Sequence, residues 1–163
     1  MIKKLLFAGF ASLFTVLATA QTSTSATYTA GPQEVERSFT VVTTATETVC
    51  ADTLIVSIPS GNYIYSVDVE YDLAAFGAVW TSDSRTYLEC VTTSKKEGAV
   101  TSGTINTNGV ESFSRSGLLF TTGIAANGQL KFVLHAFRNF GVAGCDSTNA
   151  NIVDSTFKVT VHH

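Results

Sequence analysis

A small all-β protein is what this sequence predicts: an antiparallel β-sandwich of the jelly-roll or immunoglobulin-like kind, with about seven or eight strands. Three observations predict it. Between Tyr63 and Leu73, apolar Tyr65, Val67, Val69 and Tyr71 alternate with polar Ser66, Asp68, Glu70 and Asp72, the period of two that a half-buried strand requires. Turn signals at Lys95–Gly98, Asn106–Gly109, Ala125–Gly128 and Asn139–Gly144 recur at short, regular spacing. Threonine is abundant, charged residues make up only 14% and proline is confined to Pro32 and Pro59, a composition suited to β-branched strands.

The chain opens with Lys3 and Lys4, an apolar run from Leu5 to Leu17 and the small residues of Ala18-Thr19-Ala20. That order reads as a cleavable secretory signal over residues 1–20, with Gln21 as the mature N-terminus. The apolar run is shorter than the ~20 residues a membrane-spanning helix needs, so a retained anchor is the weaker reading. The expected location is outside the cytoplasm: secreted, at the cell surface or in the periplasm. Loss of Lys3 and Lys4 from ten basic residues leaves eight against thirteen acidic ones, a formal net charge of -5. That sign disfavours nucleic acid and anionic lipid as partners, and no later segment is long enough to insert into a membrane.

The 143 residues from Gln21 to His163 suit one domain, which at that length buries roughly 65 to 70% of the surface its unfolded chain exposes. Residues 21–36 are rich in Ser, Thr and Ala and poor in large apolar groups, so they read as a flexible arm, and residues 37–163 as the sandwich. Strands are expected over Ser38–Thr48, Asp52–Pro59, Tyr63–Leu73, Arg85–Thr93, Val110–Thr121, Gln129–Phe137 and Asp154–His162. Gly61-Asn62 would turn Leu54–Ile58 back on Ile64–Tyr71 as a hairpin. Leu73–Trp80 breaks the pattern and reads as a short helix or packed loop.

Three cysteines, Cys50, Cys90 and Cys145, would meet an oxidising compartment after export. All three pairings are open, as is a fully reduced, buried set. Cys90 with Cys145 is preferred because Cys145 follows a Gly-rich turn, Gly141–Gly144, that can adjust to reach a strand cysteine. Closing that loop would stabilise the fold by about 4 kcal/mol. No C-x-x-C pair or nearby His supplies metal-ligand spacing.

No Gly-x-Ser-x-Gly elbow is present, and Ser60-Gly61 and Ser102-Gly103 read as turns. His135 falls on a strand face with Lys131, Val133 and Phe137 and reads as a half-exposed cross-strand residue without a nucleophile beside it. Asp68, Glu70 and Asp72 share one strand face at about 7 Å intervals, a solvated row rather than the facing carboxylates of glycoside hydrolysis. Asp146, Asn149, Asn151 and Asp154 offer oxygen ligands for calcium, but turn formation explains the same residues. His162 and His163 read as a solvated end. No catalytic residues, metal or cofactor are therefore assigned. A sugar would need an exposed aromatic face with polar groups beside it, types that Trp80, Asp83 and Arg85 supply, although a Trp packed in the core is the competing reading. Tyr63 and Tyr65 read as core or cross-strand residues.

Several segments together resemble a β-sandwich repeat of large secreted and surface proteins of Bacteroidetes-type bacteria. They are Val67-Asp68-Val69-Glu70-Tyr71-Asp72, Trp80-Thr81-Ser82 with Arg85 and Cys90, Leu134-His135-Ala136-Phe137-Arg138, Gly144-Cys145-Asp146, and Thr156-Phe157-Lys158-Val159-Thr160-Val161. The resemblance implies a non-catalytic, surface-associated role and the same Cys90 to Cys145 pairing. Such modules are strung in long chains, whereas one copy is present here, which argues against a covalent multidomain adhesin. The expectation is a structural or adhesive protein that self-associates through an N-terminal arm of residues 21–49, in which Thr22, Thr24, Tyr28, Phe39, Val41 and Val42 can pair in a sheet, donating it as a strand to the exposed edge of a second copy to build a filament. A carbohydrate-binding module and a small secreted hydrolase are the alternatives.

Overall fold

A computed structural model describes residues 21–37, 48–98, 101–139 and 144–163. The expected signal peptide and most of the expected strand Ser38–Thr48 lie outside them. The described chain is all-β, with eleven strands: β1 (Ser23–Thr27), β2 (Gln33–Arg37), β3 (Thr53–Ser57), β4 (Ser66–Ala75), β5 (Ser84–Cys90), β6 (Lys95–Lys96), β7 (Thr101–Ser102), β8 (Gly109–Leu118), β9 (Gln129–Arg138), β10 (Gly144–Ile152) and β11 (Lys158–His162). Two single-turn 3₁₀ helices, Thr81–Asp83 and Val91–Thr93, flank β5.

The strands are hydrogen-bonded in the order β1-β11-β4-β10-β2-β9-β5-β6, with β8 on β4, β3 on β9 and β7 on β5. Long β4 divides its free edge: Ser66–Glu70 pair with β11 and Leu73–Ala75 with β10. Strand β10 then continues onto β2, and β2 onto β9, so these two strands join the half built on β4 to the half built on β9. The β2–β9 pairing is parallel, which makes the sheet mixed rather than purely antiparallel. Inward residues of both halves meet in one core, with Val67, Val69, Tyr71, Val159 and Val161 on one side and Leu54, Val56, Leu130, Phe132 and Leu134 on the other. This is the sandwich the alternation predicts, with more strands than expected.

Residues 21–36 differ from the expected flexible arm. Strand β1 pairs with β11 over five residues, and β2 buries Gln33 and Val35 between β10 and β9. Backbone hydrogen bonding to ready strand edges holds them, together with the burial of Val35 in the core. The expected hairpin also fails. β3 pairs with β9, whereas the chain after the Gly61 turn, at φ +90°, bridges to residues 124–126 and enters β4 on the other half. In the stretch read as a helix or loop, Ala74 and Ala75 end β4 as buried strand residues.

The disulfide joins Cys50 to Cys145, with Cα atoms 5.5 Å apart, and corrects the Cys90 to Cys145 expectation. Cys90 is a fully buried thiol at the end of β5. Between β10 and β5 lie β2 and β9, so the two strands stand three spacings apart, roughly 14 Å along the sheet. That exceeds the about 7 Å across which a disulfide reaches. Burial also pushes the Cys90 thiol pKa up, which disfavours the reactive thiolate.

Candidate functional site

The residues read as a sugar site fall on one turn. Trp80 is 46% exposed, which removes the core-Trp reading. Asp83 Oδ2 accepts the Trp80 backbone N–H at 3.0 Å, capping the 3₁₀ turn, and Arg85 Nη1 donates to the carbonyls of Ser82 and Ser84 at 2.7 and 2.8 Å. The turn is stiff because Asp83 and Arg85 tie its backbone together. Those same bonds turn both side chains inward to the loop rather than outward to a ligand.

His135 is 5% exposed instead of half-exposed. It lies between Tyr87, stacked at 4.5 Å between ring centroids, and Thr48. The Thr48 backbone N–H donates to Nδ1 at 3.1 Å, which leaves the ring proton on Nε2, where it is donated to Glu89 Oε2 at 2.9 Å. Thr48 Oγ1 is also 3.1 Å from Nδ1, so a carboxylate, an imidazole and a hydroxyl fall in line. A general base needs a free Nδ1 lone pair, and here a backbone amide already occupies it.

Two of the three carboxylates of the acidic row of β4, Asp68 and Glu70, form cross-strand ties. Asp68 accepts from His162 Nε2 and from the Gly117 N–H, both at 2.8 Å, and Glu70 meets Lys158 Nζ at 3.5 Å. Burial opposes the Asp68 charge, but these bonds prevail and lower its pKa. A second tie joins the sheet halves: Arg115 on β8 grips Glu97 with two bonds at 2.8 and 2.9 Å and donates to Tyr71 Oη at 2.8 Å, while Glu97 accepts the Leu88 N–H of β5. Asp146, taken above as a calcium candidate, accepts instead from Thr148, Asn149 and the buried Arg138, whose Nη2 is 2.7 Å away. Among the described residues no group of three or more His, Cys, Asp or Glu is placed to hold a metal ion.

The feature the sequence concealed is a hollow of about 630 Å³ where β1, β11 and the Gly61 turn meet. Tyr63 and Tyr65, 60% and 50% exposed, stand on its rim either side of fully buried Ile64. Tyr65 was grouped with the inward face of β4, but the alternation changes phase between Ile64 and Val67, leaving it outside. The wall is His163, nearly buried rather than a solvated end: Asn62 Nδ2 and Thr22 Oγ1 lie 3.0 and 3.1 Å from its Nδ1, and Thr24 Oγ1 lies 2.9 Å from its Nε2. The signal that could have found the site is Tyr63-Ile64-Tyr65 itself, in which one apolar residue between two tyrosines puts the two rings on the face opposite the core.

Among the described residues no helix is long and apolar enough to cross a membrane, and the disulfide is compatible with an oxidising, extracytoplasmic location. No protein family, curated protein or solved structure matches this chain.

Proposed function

We propose that this is an exported, non-catalytic β-sandwich protein with a structural or adhesive role at the cell surface, and that copies join by exchanging β1. The observation that carries the reading is the character of β1. It is an uncharged Ser-Thr-Ser-Ala-Thr strand whose one strand partner among the described residues is β11, and a short link, Tyr28 to Pro32, connects it to β2. Its one apolar side chain, Ala26, gives it little burial to lose, so the backbone ladder to β11 accounts for most of its attachment. A neighbouring copy's β1 would make the same ladder, and such a head-to-tail exchange extends into a filament unless its rotation closes a ring.

The disulfide and the Arg115–Glu97 pair support the reading, because both brace the sandwich while leaving β1 outside what they hold. The test compares purified protein with a variant lacking residues 21–30, by light scattering and electron microscopy across a concentration series. Oligomers or fibres of the intact protein that vanish in the truncated one, with a synthetic 21–30 peptide binding the truncated protein, are the expected result. Equal monomers at every concentration overturn strand exchange.

A further inference from the structure

We infer that the hollow beside Tyr63 and Tyr65 is a binding subsite for a neutral carbohydrate, a site separate from the Trp80 turn. The inference does not rest on strand exchange, and the two fail separately, one in particle mass and the other in ligand binding.

Four features point to this ligand class. The rims are aromatic faces already exposed to water, and a pyranose presents an apolar face of C–H groups that packs flat on such a ring. Among the described residues no Asp, Glu, Lys or Arg side chain lines the hollow, so the lining suits an uncharged ligand better than a charged one that would have to be desolvated. The remaining lining comes from Gln21, Thr22, Asn62 and His163, polar groups that can exchange hydrogen bonds with hydroxyls. Asn62 spends its Nδ2 on His163, while its Oδ1 and the two tyrosine hydroxyls carry no hydrogen bond to other described residues. These groups can accept or donate without breaking an internal bond.

The fourth feature is preorganisation. Ile64 N–H donates to Ile124 O at 3.0 Å and Ile64 O accepts from Gly123 at 2.9 Å, pinning the residue between the two rings. Tyr65 N–H donates to His162 O at 2.8 Å, Thr122 Oγ1 donates to Tyr65 O at 2.7 Å, and Asn62 O accepts from Ala126 at 2.7 Å. Residues 62–65 are thus tied to two neighbouring segments although they precede β4, and the tyrosine backbones need no ordering when a ligand docks. At an i, i+2 separation, extended backbone sets the two tyrosines about 7 Å apart along the chain, a spacing that lets one saccharide chain lie across both. If β1 is exchanged between copies, Gln21 and Thr22 of the neighbour complete the same wall, and the chemistry of the hollow is unchanged.

The test is affinity electrophoresis of the purified protein in native gels cast with laminarin, dextran, glucomannan or arabinoxylan as neutral polysaccharides, and alginate as the charged control. Retardation by at least one neutral polymer and not by alginate is expected. Tyr63→Ala and Tyr65→Ala should each weaken it about tenfold, and Trp80→Ala should leave it unchanged. Amide spectra of the unmodified protein titrated with the retarding polymer's oligosaccharide should shift at Gly61, Asn62 and His163, a readout that holds even where a tyrosine variant folds poorly. No retardation by any of the four neutral polymers, retardation that survives both tyrosine changes or is lost with Trp80→Ala, or shifts confined to the Trp80 turn each overturn the inference.

Discussion

Opening the Cys50–Cys145 bridge is the perturbation whose size follows most directly from the structure. The bonded residues are 95 positions apart, so the bridge closes a loop spanning most of the domain. On the chain-entropy account, a loop of that length removes about 4.7 kcal/mol of unfolded-state freedom at 25 °C. With an unfolding entropy of about 2.1 cal/mol/K per residue, the 143 residues from Gln21 give about 0.3 kcal/mol/K, and the loss corresponds to a fall in Tm of about 16 °C. Cys50 is half-buried and Cys145 exposed, so the freed thiols add little desolvation cost.

The assay is a cycle of Cys50→Ala, Cys145→Ala and the double variant, followed by thermal unfolding, with Cys90→Ala alongside. The two single variants should fall by the same amount and the double variant by no more, because each single change already opens the whole loop. Cys90→Ala should cost only about 1 kcal/mol, the burial of one small apolar group. Non-reducing peptide mapping should link the Cys50 and Cys145 peptides. Additive losses from Cys50→Ala and Cys145→Ala, or a loss for Cys90→Ala equal to that for Cys145→Ala, would refute the reasoning.

Two further outcomes follow. Gln33 is 2% exposed with neither amide atom hydrogen-bonded to a described residue, so Gln33→Met should remove an unmet desolvation cost of about 1–3 kcal/mol and raise Tm; a fall would show that the amide is satisfied in solution. Burial disfavours the Asp146 carboxylate, yet bonds from Thr148 and Asn149 outweigh it and pull its pKa down to about 2 from 3.8, so its contribution is complete above about pH 4 and lost as pH falls toward 2. The Tm difference between the protein and Asp146→Asn should therefore shrink over that window, and a difference constant from pH 7 to pH 2 would remove the carboxylate from the account.

What the sequence disclosed depended on whether a strand carries an apolar signature. The Val67–Tyr71 alternation became a strand because burying one face forces period two, whereas the Gln129–Phe137 run, buried on both faces from Phe132 onward, was legible as a near-continuous apolar stretch. Strand β10 escaped notice because its Asn and Asp residues carry the composition of a turn, and its pairing with β2 breaks register between Asp146 and Asn151. Strand β1 escaped because it contributes almost nothing to the core and is held by a neighbour's backbone, which leaves no hydrophobic trace. The misplaced disulfide has the same origin: Cys90 and Cys145 both flank strands, but only sheet order reveals that two other strands lie between them.

Sheet order also decides which side chains remain for function. On β4 and β11, antiparallel pairing sets Asp68 near His162 and Glu70 opposite Lys158, so two members of the acidic row are engaged by the neighbouring strand rather than left for a cation. Glu89 with His135, Asp146 with Arg138 and Glu97 with Arg115 repeat the pattern at less exposed positions. Each of these pairs has its hydrogen bonds directed to another strand, and separating one to bind a ligand would leave a partly buried charge or dipole unmatched. Tyr63 and Tyr65 escape that pairing because they precede the β4 ladder, where the alternation has changed phase. The side chains left around the hollow are two exposed tyrosines and polar groups without an Asp, Glu, Lys or Arg among them, and the hollow lies beside β1, so the proposed recognition and assembly share one end of the sandwich.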